Sequence, residues 1–153
     1  MAQDIDNFDR AILTCLQEDA SSGVEAIAEK VKLSRNACWR RIRLLEERGI
    51  ITRRVALVDP EKIGLELSVI VLIRTDSHDP EWLARFRSVV RDLPQIQGAY
   101  RIAGEVDYAL RVRVKSVKDY DVFYQQLIRR VPVADVSASF VMEEIKETTA
   151  LPV

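Results

Sequence analysis

Histidine is nearly absent from this chain: His78 is the only one. Cysteine is scarce too, with Cys15 and Cys38 far apart and in no CxxC spacing. Metal ligation needs a denser set of ligands, so no metal site is expected, and His78 reads as a surface-loop residue. The two cysteines are expected as thiols that serve as small core residues. Long apolar runs are missing as well. The longest, Leu65 to Ile73, is interrupted by Glu66 and Ser68 and is far too short to span a bilayer. The opening residues Met1-Ala2-Gln3-Asp4 have neither a basic nor an apolar stretch, so no secretory signal is expected there and a cytoplasmic location follows. There is no internal repeat, no low-complexity tract, no phosphate-binding loop and no nucleophile–base pair. The chain is not expected to be an enzyme, and no cofactor is expected.

What is present is an ordinary globular composition, 48% hydrophobic and 31% charged over 153 residues. That length suits one domain or two small ones sharing a linker. The formal net charge is -1, but the charges are sorted along the chain. Residues 1–29 hold one base, Arg10, against Asp4, Asp6, Asp9, Glu18, Asp19, Glu25 and Glu29. Residues 30–54 reverse this: Lys30, Lys32, Arg35, Arg40, Arg41, Arg43, Arg48, Arg53 and Arg54 face only Glu46 and Glu47. A local basic field is what a phosphate backbone requires; the overall charge matters less.

Ile5, Phe8, Ile12 and Leu16 recur at helical steps and predict a first helix over about residues 7–17, capped by Asp6. A second, about residues 24–31, shows Val24, Ile27, Ala28 and Val31 on one face. Lys32-Leu33 then makes a tight turn. Ser34 caps a third helix, about residues 35–48, with Cys38, Ile42 and Leu45 inward and Gly49 ending it. Ile50 to Leu57 reads as a short extended wing containing Arg53-Arg54.

After Asp59-Pro60, a linker over residues 59–66 leads to a different pattern. Leu67–Thr75 reads as a strand, followed by a helix capped by Asp79 with Pro80 at its first position. Ile96–Ile102 and the alternating Tyr108–Val114 are strands separated by a turn at Gly104. Ser116 and Asp119 open another helix, and Val136–Ile145 is the last strand. Trp82, Tyr120, Phe123 and Tyr124 read as packing. The fold class is therefore α+β. A winged helix-turn-helix occupies residues 1–58, and a ferredoxin-like βαββαβ domain occupies residues 67–153.

In a helix-turn-helix the second helix of the pair enters the major groove, and its first residues meet base edges. Here those are Ser34, Arg35, Asn36, Trp39 and Arg40, with Arg43 one turn on. Arg can pair with guanine and Asn with adenine, while Arg41, Arg53 and Arg54 suit phosphates. Double-stranded DNA is the expected partner. A charged helix face that is merely solvated is the plain alternative, and the three-helix spacing with its basic wing argues against it.

Residues spread over nearly the whole chain carry a resemblance to a known family. They are Asp6 through Leu16, Ile27-Ala28, Leu33-Ser34, Arg41-Ile42, Leu45-Glu46, Gly49-Ile50-Ile51, Gly64, Gly104 with Asp107, and Val141-Met142-Glu143-Glu144-Ile145-Lys146. In this order they resemble the Lrp/AsnC transcriptional regulators. The resemblance implies a C-terminal domain that binds a small amino-acid effector and assembles dimers into larger homo-oligomers, commonly octamers. It implies genes of amino-acid metabolism or transport as targets. It also places the effector beside the turn from Gly104 to Asp107, near Tyr108 and the last strand. Such a turn offers backbone N–H groups to a carboxylate and Asp107 to an ammonium, although Gly and Asp also favour turns for local reasons. The family's Thr-x-Thr on the last strand is here Ser137-Ala138-Ser139, which leaves Ser137 or Ser139 to substitute if the strand face permits. Two other readings stand beside this one: a protein that wraps DNA without small-molecule control, and an enzyme on a ferredoxin-like domain, for which no residue set speaks.

Overall fold

A computed structural model describes residues 5–77 and 79–153. His78 lies outside the described residues. The chain forms two compact units: residues 1–57 with 146–153, and residues 58–145.

The first unit is three helices, α1 (Asn7–Glu18), α2 (Val24–Lys30) and α3 (Arg35–Glu47). Asp6 caps α1 in a reciprocal capping box with Asp9. Between α2 and α3 the chain reverses through Lys32, whose φ of 58° is left-handed. Lys32 N–H donates to the Glu29 carbonyl (3.4 Å) and Leu33 N–H to the Ala28 carbonyl (2.9 Å). This is a Schellman ending, with Leu33 packing back on the core that holds Ala28. The same device ends α3. Gly49 at φ 70° lets its N–H reach Glu46 and lets Ile50 N–H reach Leu45, each at 2.9 Å. The core contains Ile12, Leu16, Ile27, Cys38, Ile42 and Leu45. Cys38 is wholly buried, and that burial pushes its thiol pKa up, as Cys15 nearby also does, so it stays a protonated core residue.

Residues 52–58 form no strand, so the expected extended wing is a segment without regular structure. The C-terminal tail was expected with the second domain. Instead it belongs to the first unit, where Gln17 and the Leu151 backbone exchange two hydrogen bonds (3.1 and 2.7 Å). The expected linker is also folded: Glu61–Ile63 is a 3-10 turn of the second unit, with Asp59 accepting from Glu61 N–H.

The second unit has the order β1 (Leu67–Arg74), α4 (Pro80–Asp92), β2 (Ile96–Arg101), β3 (Tyr108–Val114), α5 (Val117–Arg130), β4 (Asp135–Phe140). The sheet order is β2-β3-β1-β4, with every pair antiparallel, the ferredoxin-like arrangement. Period-two patterning places Val69, Val71 and Ile73 against α4 and α5, and leaves Ile70 and Leu72 on the other face. Trp82 stacks on Phe86 at 5.1 Å and donates its indole N–H to the Pro132 carbonyl. β4 stops at Phe140, short of the expected Ile145, because β1 runs out. Val69 pairs with Phe140, Val141 makes one last bond to Ser68, and the residues beyond have no strand to join.

Phe123 on α5 is only 1% exposed and sits in the middle of this core. Phe123→Ala leaves a cavity under the sheet and should lower stability by about 3–5 kcal/mol in urea denaturation.

Candidate functional site

Helix α3 starts cleanly because Ser34 Oγ accepts from Ala37 N–H (3.2 Å), which fixes the direction of its first turn. With Cys38, Ile42 and Leu45 in the core, Arg35, Asn36, Trp39, Arg40 and Arg43 lie on the exposed side. Trp39 is 56% exposed, unusual for so large an apolar ring, and the Arg43 guanidinium lies 6.0 Å over its centroid. Arg35 meets Glu25 at 3.1 Å, but both side chains are well exposed. A pair of that kind is worth about 0–1 kcal/mol and exchanges readily for a better partner. Arg40 and Arg53 have no ion pair among the described residues.

Arg41 is used differently from the expectation. Its Nη1 donates to Asp6 Oδ2 (2.7 Å) and to Asp9 Oδ1 (2.8 Å), and its guanidinium lies 5.4 Å over the Phe8 ring. It clamps α3 to the start of α1 and is not turned outward to a phosphate. Asp9, only 8% exposed, has its charge matched there. The N–H of Asp9 and the Arg41 guanidinium hold the Asp6 carboxyl below the usual carboxylate range. Arg54 is likewise engaged, with Glu46 at 2.9 Å, which ties the segment after α3 back to that helix. Sequence position already hinted at the clamp. Arg41 is three residues after Cys38 and four before Leu45, on the edge of the buried face.

In the second unit Gly104 stands at φ 144°, a conformation that strains any side chain, although a Cβ there would meet nothing. Its role is therefore to shape the turn. Asp107 closes that turn. Its carbonyl accepts from Ile102 N–H, its own N–H donates to the Ile73 carbonyl, and Oδ2 accepts from Thr75 N–H, each at 2.9 Å. The carboxylate thus joins the β2–β3 turn to the end of β1, a bond that nothing local in the sequence announced.

The other expected effector residues fall elsewhere. Tyr108 is buried, its ring 4.5 Å from Phe86, on the helix-covered side. Ser137 and Ser139 pair with Leu72 and Ile70 on the open face, whereas Ala138 pairs with Val71 on the helix side. β1 lies between β3 and β4, so the serines stand two strand spacings, about 10 Å, from Asp107 across the sheet, and the register sets Ser137 and Ser139 further off along the strands. Within one chain they do not meet the turn.

Residues 5–46 match the AsnC-type helix-turn-helix domain, and residues 68–151 match the Lrp/AsnC ligand binding domain. The chain belongs to the Lrp/AsnC family. The DNA-binding transcriptional activator DecR of Escherichia coli is 48% identical over 150 residues, 97% of this chain and 99% of that one. The crystal structure of an AsnC family transcriptional regulator from Agrobacterium tumefaciens is 50% identical and superposes with a TM-score of 0.94, over 97% of each chain. A Neisseria meningitidis transcriptional regulator in complex with L-Met is 31% identical, with a TM-score of 0.93 over 97% of each chain. This Lrp/AsnC chain is a transcriptional regulator with a helix-turn-helix and a ligand-binding domain.

Because the folded state holds the Asp6 proton more weakly than the unfolded chain does, this interaction adds stability above the ordinary carboxylate pKa of about 3.9. That contribution is lost as pH falls through the lowered folded value. Asp6→Asn keeps a capping side chain and removes the charge. The melting temperature of this variant should lie below that of the parent chain at neutral pH, and the gap should close in acid. A gap that persists unchanged at low pH would show that charge is not what Asp6 contributes.

Proposed function

We propose that this chain binds DNA sequence-specifically through the first turns of α3, and that a small amino acid held at the Gly104–Asp107 turn controls its assembly or its DNA binding. The observation that carries the reading is the division of labour on α3: Arg41 faces α1, while Arg35, Asn36, Trp39 and Arg40 stay exposed on a capped helix. Exposed Arg and Asn at the start of a recognition helix are suited to guanine and adenine edges. Arg40 and Arg53 suit phosphates, and Arg54 suits them after exchange of Glu46.

The amino-acid reading is supported by the relative solved with L-Met and by the chemistry of the turn. Asp107 offers an anion to an ammonium, and the backbone around Gly104 offers donors to a carboxylate. A complete site needs a second copy of the chain, since Ser137 and Ser139 lie too far from Asp107 within one copy. The open sheet face, with Ile70 and Leu72 uncovered, supports a homodimer as the smallest functional unit, with larger assemblies built from it.

Arg35→Ala and Asn36→Ala should each cost about 1–3 kcal/mol at a selected operator and relax its sequence preference. Arg53→Ala should weaken all duplexes alike and flatten the salt dependence. Fluorescence anisotropy on the operator and on a scrambled duplex separates these outcomes, and equal losses in all three variants would refute the assignment of roles. For the effector, Asp107→Asn retains an acceptor for Thr75 N–H and loses the charge, so it should fold and bind operator yet respond weakly to the amino acid. Asp107→Ala should lose the response entirely. Calorimetric titration with whichever member of an amino-acid panel binds the parent chain is the measurement. Unchanged affinity in both variants would move the site away from this turn.

A further inference from the structure

On the helix-covered side of the sheet, α4 and β2 enclose a cleft of about 340 Å³. That is at the small end of the range for ligand pockets, roughly 300–1,000 Å³. Its floor and walls are mostly apolar: Leu83, Phe86, Val90, Ala99 and the buried ring of Tyr108. Three cations, Arg87, Arg91 and Arg101, line the same cleft, and no carboxylate does. The acids of α4 are engaged elsewhere, Glu81 with Arg85 and Asp92 with Arg130. Among the described residues none of the three lining arginines has an ion-pair partner. Three guanidiniums around an apolar cleft create a local positive field that no carboxylate lining the cleft offsets among the described residues.

We propose that this cleft binds a small amphipathic carboxylate that has an apolar tail and no ammonium group, the class of the branched-chain 2-oxo acids. The carboxylate pairs with guanidiniums from α4 and β2, for which Arg is the best-suited side chain. The tail covers Phe86, Val90 and Ala99. A free α-amino acid fits poorly, because its ammonium would enter a site lined by three cations with no anion to receive it. Inorganic phosphate would satisfy the arginines and leave the apolar wall wet. The cleft is thus the chemical opposite of the Gly104–Asp107 turn, which offers an anion. The inference stands apart from the amino-acid reading of that turn: one site is tested with a deaminated acid, the other with the amino acid itself.

Trp82 stacks on Phe86 and lies 5.6 Å from Tyr108, so its emission reports on the cleft floor. Trp39→Phe in the full chain serves only to leave Trp82 as the sole tryptophan emitter. Titrating that protein with 4-methyl-2-oxopentanoate should change Trp82 emission saturably, and calorimetry on the parent chain should give the same Kd. Arg91→Ala and Arg101→Ala, both at exposed positions, should each raise that Kd about tenfold or more. Ala99→Leu, which fills the cleft, should abolish the change. No saturable signal with the oxo acid, or arginine variants that bind as the parent chain does, would overturn the proposal. So would a leucine signal that disappears in the same arginine variants, or displacement of the oxo acid by equimolar inorganic phosphate.

Discussion

The bond between Arg41 and the two acids at the start of α1, together with the buried Cys38, Ile42 and Leu45, fixes which way α3 faces. Successive residues of a helix point about 100° apart, so Arg40, Arg41 and Ile42 cannot share a direction. Ile42 enters the core, Arg41 reaches Asp6 and Asp9, and Arg40 is left at the surface. Rotation of α3 about its axis would break the clamp and strand Asp9, a nearly buried carboxylate, without its counterion. Breaking a pair of that kind from one side is far more costly than losing an exposed one. The clamp also bears on the acidic run that precedes the basic one. Asp6 and Asp9 are matched by Arg41, and Asp19 is occupied by Ser21 and Ser22 of its own loop. Arg41 thereby offsets two acids of that run, whereas the Asp19 carboxylate keeps its charge.

A comparable joint organises the second unit. The Asp107 side chain holds the end of β1 through Thr75 while its backbone closes the β2–β3 turn, so one residue couples two neighbouring strand ends. Gly104 supplies the backbone conformation that the turn needs, not room for a close neighbour. The turn is therefore held at both ends by backbone and side-chain hydrogen bonds of Asp107.

Much of this was legible in the sequence wherever the determinants are local. The Lys32-Leu33 turn, the Gly49 ending, the caps at Ser34, Asp79 and Ser116, and strand Tyr108–Val114 all follow from spacing and residue chemistry. The α+β class followed from the change of period after Asp59. What escaped was non-local. The tail's return to Gln17 depends on a partner some 134 residues away, and the end of β4 on where β1 stops. The Asp107–Thr75 bond joins two loops with no shared pattern. Arg41 was counted correctly as a charge, but its direction needed the geometry of α1. The cleft was invisible for the same reason: Arg87 and Arg91 are a readable i,i+4 pair, whereas Arg101 reaches it only because β2 pairs with β3 beneath α4.

The spacing of the sheet has a thermodynamic consequence for the amino-acid reading. Asp107 and the serines of β4 are separated by the width of β1 and by a register offset of two and four residues, so within one chain they do not line a common site. A ligand that uses both must use them from different copies. It then binds the assembly more tightly than the isolated chain, and by linkage it stabilises that assembly by the same free energy. A ligand confined to the turn of one copy has no such differential affinity and shifts no equilibrium between assemblies, however tightly it binds. Regulation by this route therefore depends on where β4 of a neighbouring copy lies as well as on Asp107 in the turn itself.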